Sequence, residues 1–213
     1  ILIDQTFNRK SSEYKNYIIK KTLIFAGHQY ALLRNQFNAN ILHRKNQRNI
    51  LISMGGTDPK RITSKIIKLV LEVFKNDQII ILLNKSSIQI PILKKKYNSL
   101  LLRKKITILS DIYNIMSIYQ KTSFCIGAGG VSALERCKIG IPSLVYQAAK
   151  NQSNIIYNMK KNKLICVWNN NKELNHLLYK IKGKNSILKT LKKNCLNSKI
   201  GTKTNIIYKS VLQ

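Results

Sequence analysis

The chain has 213 residues, 44% of them hydrophobic, with 9 glycines and 3 prolines; it is long enough to bury a sizeable core, and collagen-like, proline-rich and low-hydrophobicity disordered classes are excluded. Thirty-eight Lys and Arg face 8 Asp and Glu, a formal net charge of +30 that ordinarily points to a polyanionic partner. The lysines are scattered singly or in short runs (94–96, 160–161, 192–193) among abundant Ile and Asn, so the bias is compositional and no specific nucleic acid is expected, although a basic surface still attracts anionic nucleotides. Cys125, Cys137, Cys166 and Cys195 are far apart, with no C-x-x-C pair and no histidine at metal spacing, so neither a disulfide framework, a metal site nor a cofactor is expected. With no run of 18 apolar residues and no leader signal, the chain reads as cytoplasmic and without a membrane span.

In chain order, residues 1–3, 17–19 and 23–26 look like strand ends joined by polar loops, the tail of a preceding domain whose upstream part is expected to be missing. Residues 39–48, polar and basic, read as a linker, giving a tail over 1–42 and a main domain over 43–213. From residue 49 short apolar runs alternate with helical patterns, the mark of an α/β parallel sheet covered by helices. A strand at 50–54 leads into GGTDP, and Ile62, Ile66, Ile67, Leu69, Val70, Val73 and Phe74 repeat at helical spacing. Strands follow at 79–83 and 106–109, with helices around 90–100 and over 111–119. The strand 124–126 runs into Gly127-Ala128-Gly129-Gly130, and a helix follows over 131–138. Gly140 caps that helix and Pro142 opens a strand at 143–146. A helix over 151–161, a last strand at 164–167 and two or three Lys-rich helices complete a doubly wound, Rossmann-like domain.

Three segments carry chemistry. Consecutive glycines before a helix let backbone approach a phosphate without a Cβ clash, and the amides opening that helix at Val131 to Ala133 are expected to lack intrahelical partners and point at an anion; the competing reading is an empty tight turn. Glu135, in the first turns of the same helix, suits the paired hydroxyls of a ribose, or is simply an exposed helical acid. Gly55, Gly56 and Thr57 form a second glycine turn at a strand's carboxyl end, with Thr57 or Asp58 able to cap the next helix. Asn151 and Gln152, after a third strand, suit sugar hydroxyl and acetamido groups, or serve as a cap and its neighbour. His28, His43 and His176 show no catalytic setting, and Ser132 lacks a hydrolase elbow.

Taken in order, YALLR at 30–34 with Phe37, ILISMGGTDP at 50–59, IGAGGVSALERCKIGIPSLV at 126–145 and Asn151-Gln152 resemble the UDP-2,4-diacetamido-2,4,6-trideoxy-β-L-altropyranose hydrolases of pseudaminic acid biosynthesis. Those enzymes are relatives of the glycosyltransferase family of the cell-wall N-acetylglucosaminyltransferase. The resemblance spans residue 1 to about 167 and implies the C-terminal, nucleotide-binding half of a two-domain GT-B-type fold. It implies hydrolysis of a UDP-sugar to UDP and free sugar. Gly127, Gly129, Gly130, Val131 and Ser132 match the diphosphate loop, Glu135 the ribose acid, Asn151 and Gln152 the sugar-side pair, and Gly55, Gly56 and Thr57 the turn at the cleft. A GT-B-type glycosyltransferase using the same half is the alternative. The family's catalytic histidine sits in a G-x-G-H-x-x-R loop that this sequence lacks; Gly27-His28 has no arginine three positions on. No catalytic residue is therefore carried over, and hydrolysis is expected to need a missing N-terminal domain or a separate polypeptide.

Overall fold

The computed structural model describes residues 1–19, 21–38, 49–183 and 186–212. Strands β1 (Leu2–Asp4) and β2 (Ile24–Ala26) pair in parallel as a small separate sheet, Leu2 opposite Ile24 and Asp4 opposite Ala26. Then come β3 (Asn49–Ser53), α1 (Ile62–Val73), β4 (Gln78–Leu82), α2 (Gln89–Lys96), α3 (Asn98–Leu102), β5 (Ile106–Leu109) and α4 (Met116–Tyr119). The chain continues through β6 (Thr122–Ala128), α5 (Val131–Lys138), β7 (Ser143–Tyr146), α6 (Ser153–Lys161), β8 (Cys166–Val167), α7 (Asn171–Gly183), α8 (Ser186–Leu196) and α9 (Thr204–Val211).

The larger sheet is parallel in the order β5-β4-β3-β6-β7-β8. Starting at β3, the chain winds outward through β4 and β5, returns to the other side of β3 as β6, and winds outward again. This is the doubly wound order, in which right-handed crossovers cover both faces with helices. The strand sequences match it, because a sheet buried on both faces has no polar side to alternate with. Ile50 and Ile52 join Ile66, Ile67, Val70, Leu174 and Leu178 on one face, while Leu51 and Cys125 join Ile115, Met116 and Tyr119 on the other. The N-terminal segment packs onto the same body: Phe7 and Ala31 lie in a cluster with Leu134, Ile156 and Ile200, and the carbonyls of His28 and Gln29 receive the N–H groups of Gly201 and Lys203, both at 2.9 Å.

Most expected elements appear with bounds shifted by a residue or two, and four differ in kind. Residues 111–119 are helical only from Met116, because Asp111 adopts a left-handed conformation (φ 48) and the Asn114 side chain accepts the Met116 N–H at 3.1 Å, an alternative to helical bonding. The helix expected at 90–100 is two helices, broken at Tyr97, which leaves helical geometry and turns into the core. Residues 17–19 form no strand; Tyr17 and Ile19 are exposed. The glycine run is partly strand, since Gly127 and Ala128 extend β6. The expected linker at 39–48 and the boundary at 42/43 lie outside the described residues. No helix among the described residues is long and apolar enough to cross a membrane.

His28 ties the N-terminal segment together. Its ring stacks on Phe7 at 3.9 Å and its Nδ1 accepts the Asn8 N–H at 3.2 Å, which requires that nitrogen to be unprotonated. Burial lowers its pKa below the ordinary value, more than a bond with the Ser198 backbone raises it. A depressed folded-state pKa contributes stability that is present above the unfolded value and lost as pH falls through the folded one. The melting temperature should therefore decline as pH falls below about 6.5, and His28→Gln should reduce that decline; an identical pH profile in the variant would refute the assignment.

Candidate functional site

Parallel pairing sets the carboxyl ends of β3, β6 and β7 side by side, with Ser53 opposite Gly127 and Ala128 opposite Tyr146. The winding direction reverses between β3 and β6, so a crevice opens beyond their ends, where doubly wound sheets hold ligands. All three predicted segments arrive at this edge.

After β3, Gly55, Gly56 and Thr57 are exposed, and Gly55 has φ 100, a conformation that favours glycine. The cap of α1 is Asp58, not Thr57: its carboxylate accepts the N–H groups of Ile62 at 3.1 Å and Thr63 at 2.7 Å and the Gln89 amide at 2.9 Å. Thr57 is left on the rim.

At the end of β6 the backbone is packed too tightly for a side chain at Gly127 and Gly129. A Cβ on Gly127 would lie 2.8 Å from the Ser53 carbonyl oxygen and 3.2 Å from Arg136 Nη2; one on Gly129 would lie 2.6 Å from Ile156 Cδ1. Gly130 takes φ 85 and leads into α5. The Ala133 amide, expected to be free, instead donates to the Gly130 carbonyl at 3.0 Å because the chain already turns at Gly130, so only the Val131 and Ser132 amides precede the ladder at an exposed, positively polarised helix end. Gln152 comes to this turn: its Oε1 accepts the Ala148 N–H at 3.0 Å and its Nε2 lies beside Gly130. Asn151 is exposed next to it.

Two arginines complete the arrangement, and the sequence reading assigned a role to neither. Arg136, fully buried, lies beneath the glycine turn, donating from Nη2 to the Ala128 carbonyl at 2.8 Å and from Nε to Ser143 Oγ at 3.1 Å. Burial works against its charge, but Cys125, Tyr119 and Glu135 together outweigh that and hold its pKa above the ordinary value. The same burial pushes the Tyr119 phenol up to about 12. Arg34, in the YALLR segment, donates from Nε and Nη2 to Glu135 Oε1 and Oε2 at 3.0 and 3.1 Å. Glu135 is accordingly a buried, paired acid rather than an exposed helical one. The signals were present as an arginine directly following the acid and as the arginine of YALLR, but only the fold shows what each touches.

Beside this pair lies a cavity of about 560 Å³ lined by Arg34, Asn35, Gln36, Ile112, Tyr113 and Asn114. Gln36 Oε1 is buried without a hydrogen-bond partner among the described residues. Among the described residues no three His, Cys, Asp or Glu side chains gather as a metal site.

This architecture is a Rossmann-like α/β sheet of the kind that forms one half of GT-B glycosyltransferases. It resembles the S. aureus protein TarM bound to UDP (11% identity, TM-score 0.65, 99% of this chain and 42% of that one) and MurG of Acinetobacter baumannii (11%, 0.58, 86% and 53%). It also resembles the C-terminal domain of the group 1 glycosyl transferase LpcC from Francisella tularensis (12%, 0.57, 75% and 93%). In sequence it is 31% identical over 147 residues to the uncharacterized protein MJ1062 of Methanocaldococcus jannaschii, and 27% identical over 142 residues to the spore coat polysaccharide biosynthesis protein SpsG of Bacillus subtilis. Those matches cover 65% and 64% of this chain but only 29% and 41% of the two relatives. No family model matches.

The glycines separate into two kinds. Gly127→Ala would drive a methyl into the main chain of β3, which cannot retreat without breaking the β3–β6 register, so a loss of about 1–3 kcal/mol is expected. Gly56→Ala would meet only the Asn84 side chain at 3.5 Å, ordinary contact, and should change stability by less than about 0.5 kcal/mol. Thermal denaturation of both variants checks this; equal effects would contradict the packing at Gly127.

Proposed function

We propose that the crevice binds a nucleotide-sugar, UDP-linked, and that the chain is the donor-binding part of a GT-B-type enzyme of sugar-nucleotide metabolism. The observation that carries this reading is the succession along α5. Val131 and Ser132 present free amides to a diphosphate, Glu135 stands one turn further on, about 6 Å along the axis, and the cavity beside Arg34 has room for a planar base. The unpaired Gln36 oxygen suits a ring N–H. Gln152 and Asn151, with Gly55, Gly56 and Thr57 across the crevice, form the sugar side. The small β1–β2 sheet fits the proposed division into a 1–42 tail of another domain and a 43–213 nucleotide-binding domain, in a cytoplasmic protein.

For the reaction, transfer of the sugar from the UDP donor to an alcohol acceptor is the reading favoured by the structural neighbours, which include a Rickettsia africae glycosyltransferase, LpcC and the spinosyn rhamnosyltransferase SpnG. Hydrolysis of a UDP-linked diacetamido-trideoxy sugar, as in pseudaminic acid biosynthesis, is the second reading. It rests on the order and spacing of YALLR, ILISMGGTDP, IGAGGVSALERCKIGIPSLV and Asn151-Gln152. UDP released from that sugar nucleotide without any acceptor marks hydrolysis; release that requires an alcohol marks transfer.

Calorimetry with UDP tests the binding site itself. Hydrogen bonds to a charged group contribute about 1.5–3 kcal/mol, so Glu135→Ala should weaken UDP by about 10- to 100-fold. Unchanged affinity in that variant would sink the ribose contact.

A further inference from the structure

We propose that Arg34 is a displaceable stand-in for the ribose: in the ligand-free protein its guanidinium occupies the Glu135 carboxylate, and the nucleotide's vicinal diol takes its place. This inference rests on the proposed role of Glu135 toward the ribose and concerns what that carboxylate does before the nucleotide arrives.

The geometry is competitive. Arg34 Nε and Nη2 meet Oε1 and Oε2 separately, at 3.0 and 3.1 Å, a fork-on-fork contact that takes the converging lone pair of each oxygen. Two adjacent hydroxyls binding the same carboxylate need those same two positions. The exposures are unequal in the sense that displacement requires, with the Glu135 side chain 8% exposed and that of Arg34 49%. The covering group is thus already half in water, whereas the covered one is fixed in the body of the protein.

The backbone of the covering segment is anchored on both sides, by Ala31 at 0% and Phe37 at 1% exposure. The guanidinium carbon lies 5.1 Å over the Phe37 ring and Arg34 lines the neighbouring cavity. A rotation of one side chain therefore uncovers the carboxylate without moving the fold. The departing cation also has a destination, because the free amides at the start of α5, where the diphosphate would sit, are about 6 Å along the helix from Glu135. In this exchange the carboxylate passes from guanidinium to diol and the guanidinium from carboxylate to diphosphate, so neither charge is left buried and unpaired.

The exchange has a signature separate from general charge attraction. Loss of the Arg34 charge weakens UDP and 2′-deoxy-UDP alike, whereas loss of competition for the carboxylate favours only the nucleotide with both hydroxyls. We expect the ratio of the 2′-deoxy-UDP to the UDP dissociation constant, measured by calorimetry, to rise about two- to five-fold in Arg34→Ala, the strength of a partly exposed ion pair. Arg34→Lys, which keeps a charge but cannot span both oxygens, should shift the ratio the same way and serves if the alanine variant does not fold. A ratio that is unchanged or falls would overturn the exchange and leave Arg34 as a fixed positioning residue. A wild-type protein that does not distinguish the two nucleotides would overturn the ribose reading and the exchange with it.

Discussion

The pairing of β3 with β6 holds together the sheet edge that carries the candidate site. Ile50, Leu51, Ile52 and Ser53 lie opposite Phe124, Cys125, Ile126 and Gly127, and these are the strands between which the winding direction reverses. Two crossovers that leave in opposite directions cannot fill the space beyond the strand ends, so a crevice forms there for topological reasons. Close pairing at Ser53 and Gly127 in turn requires a residue with no side chain, which sets the first of the glycines from which the candidate site is built.

Charge at this edge is organised around a shortage of acids. Among 8 Asp and Glu, Asp58 is committed to the start of α1 and Glu135 to Arg34. Arg136, buried under the glycine turn, spends two of its donors on the Ala128 carbonyl and Ser143, so it works as a cationic strut rather than an ion-pair partner. The result is a helix start with positive character on both sides, from the backbone amides above and the guanidinium below. Such an arrangement favours an anion with several oxygens over a neutral ligand.

Legibility in the sequence varied with how local the determinant was. The strands at 106–109 and 143–146 and the helix at 131–138 could be read with their bounds, because apolar runs, glycine and proline mark them within a few residues. The helix expected at 111–119 failed because Asp111 and Asn114 offered the backbone competing side-chain and left-handed conformations, which an apolar periodicity does not register. The break at Tyr97 failed for a tertiary reason: the ring is recruited into the core and takes the chain out of helical geometry. Within the candidate site, the glycines and their helix were readable because close backbone approach demands a particular residue type. Arg34 was not, because its partner lies 101 positions away.

By itself the sequence determined the class of fold and the positions of the three turns, since these follow from short-range periodicity and from what glycine alone permits. Only the tertiary structure decided that Asp58 rather than Thr57 caps α1, that Arg136 supports the glycine turn from below, and that Glu135 is buried under Arg34. The Arg34–Glu135 pair joins residues 101 positions apart, and the Asp58 carboxylate is shared with Gln89, 31 positions on. The remaining partners lie within eight residues, where nearness along the chain offers several candidates and packing selects among them.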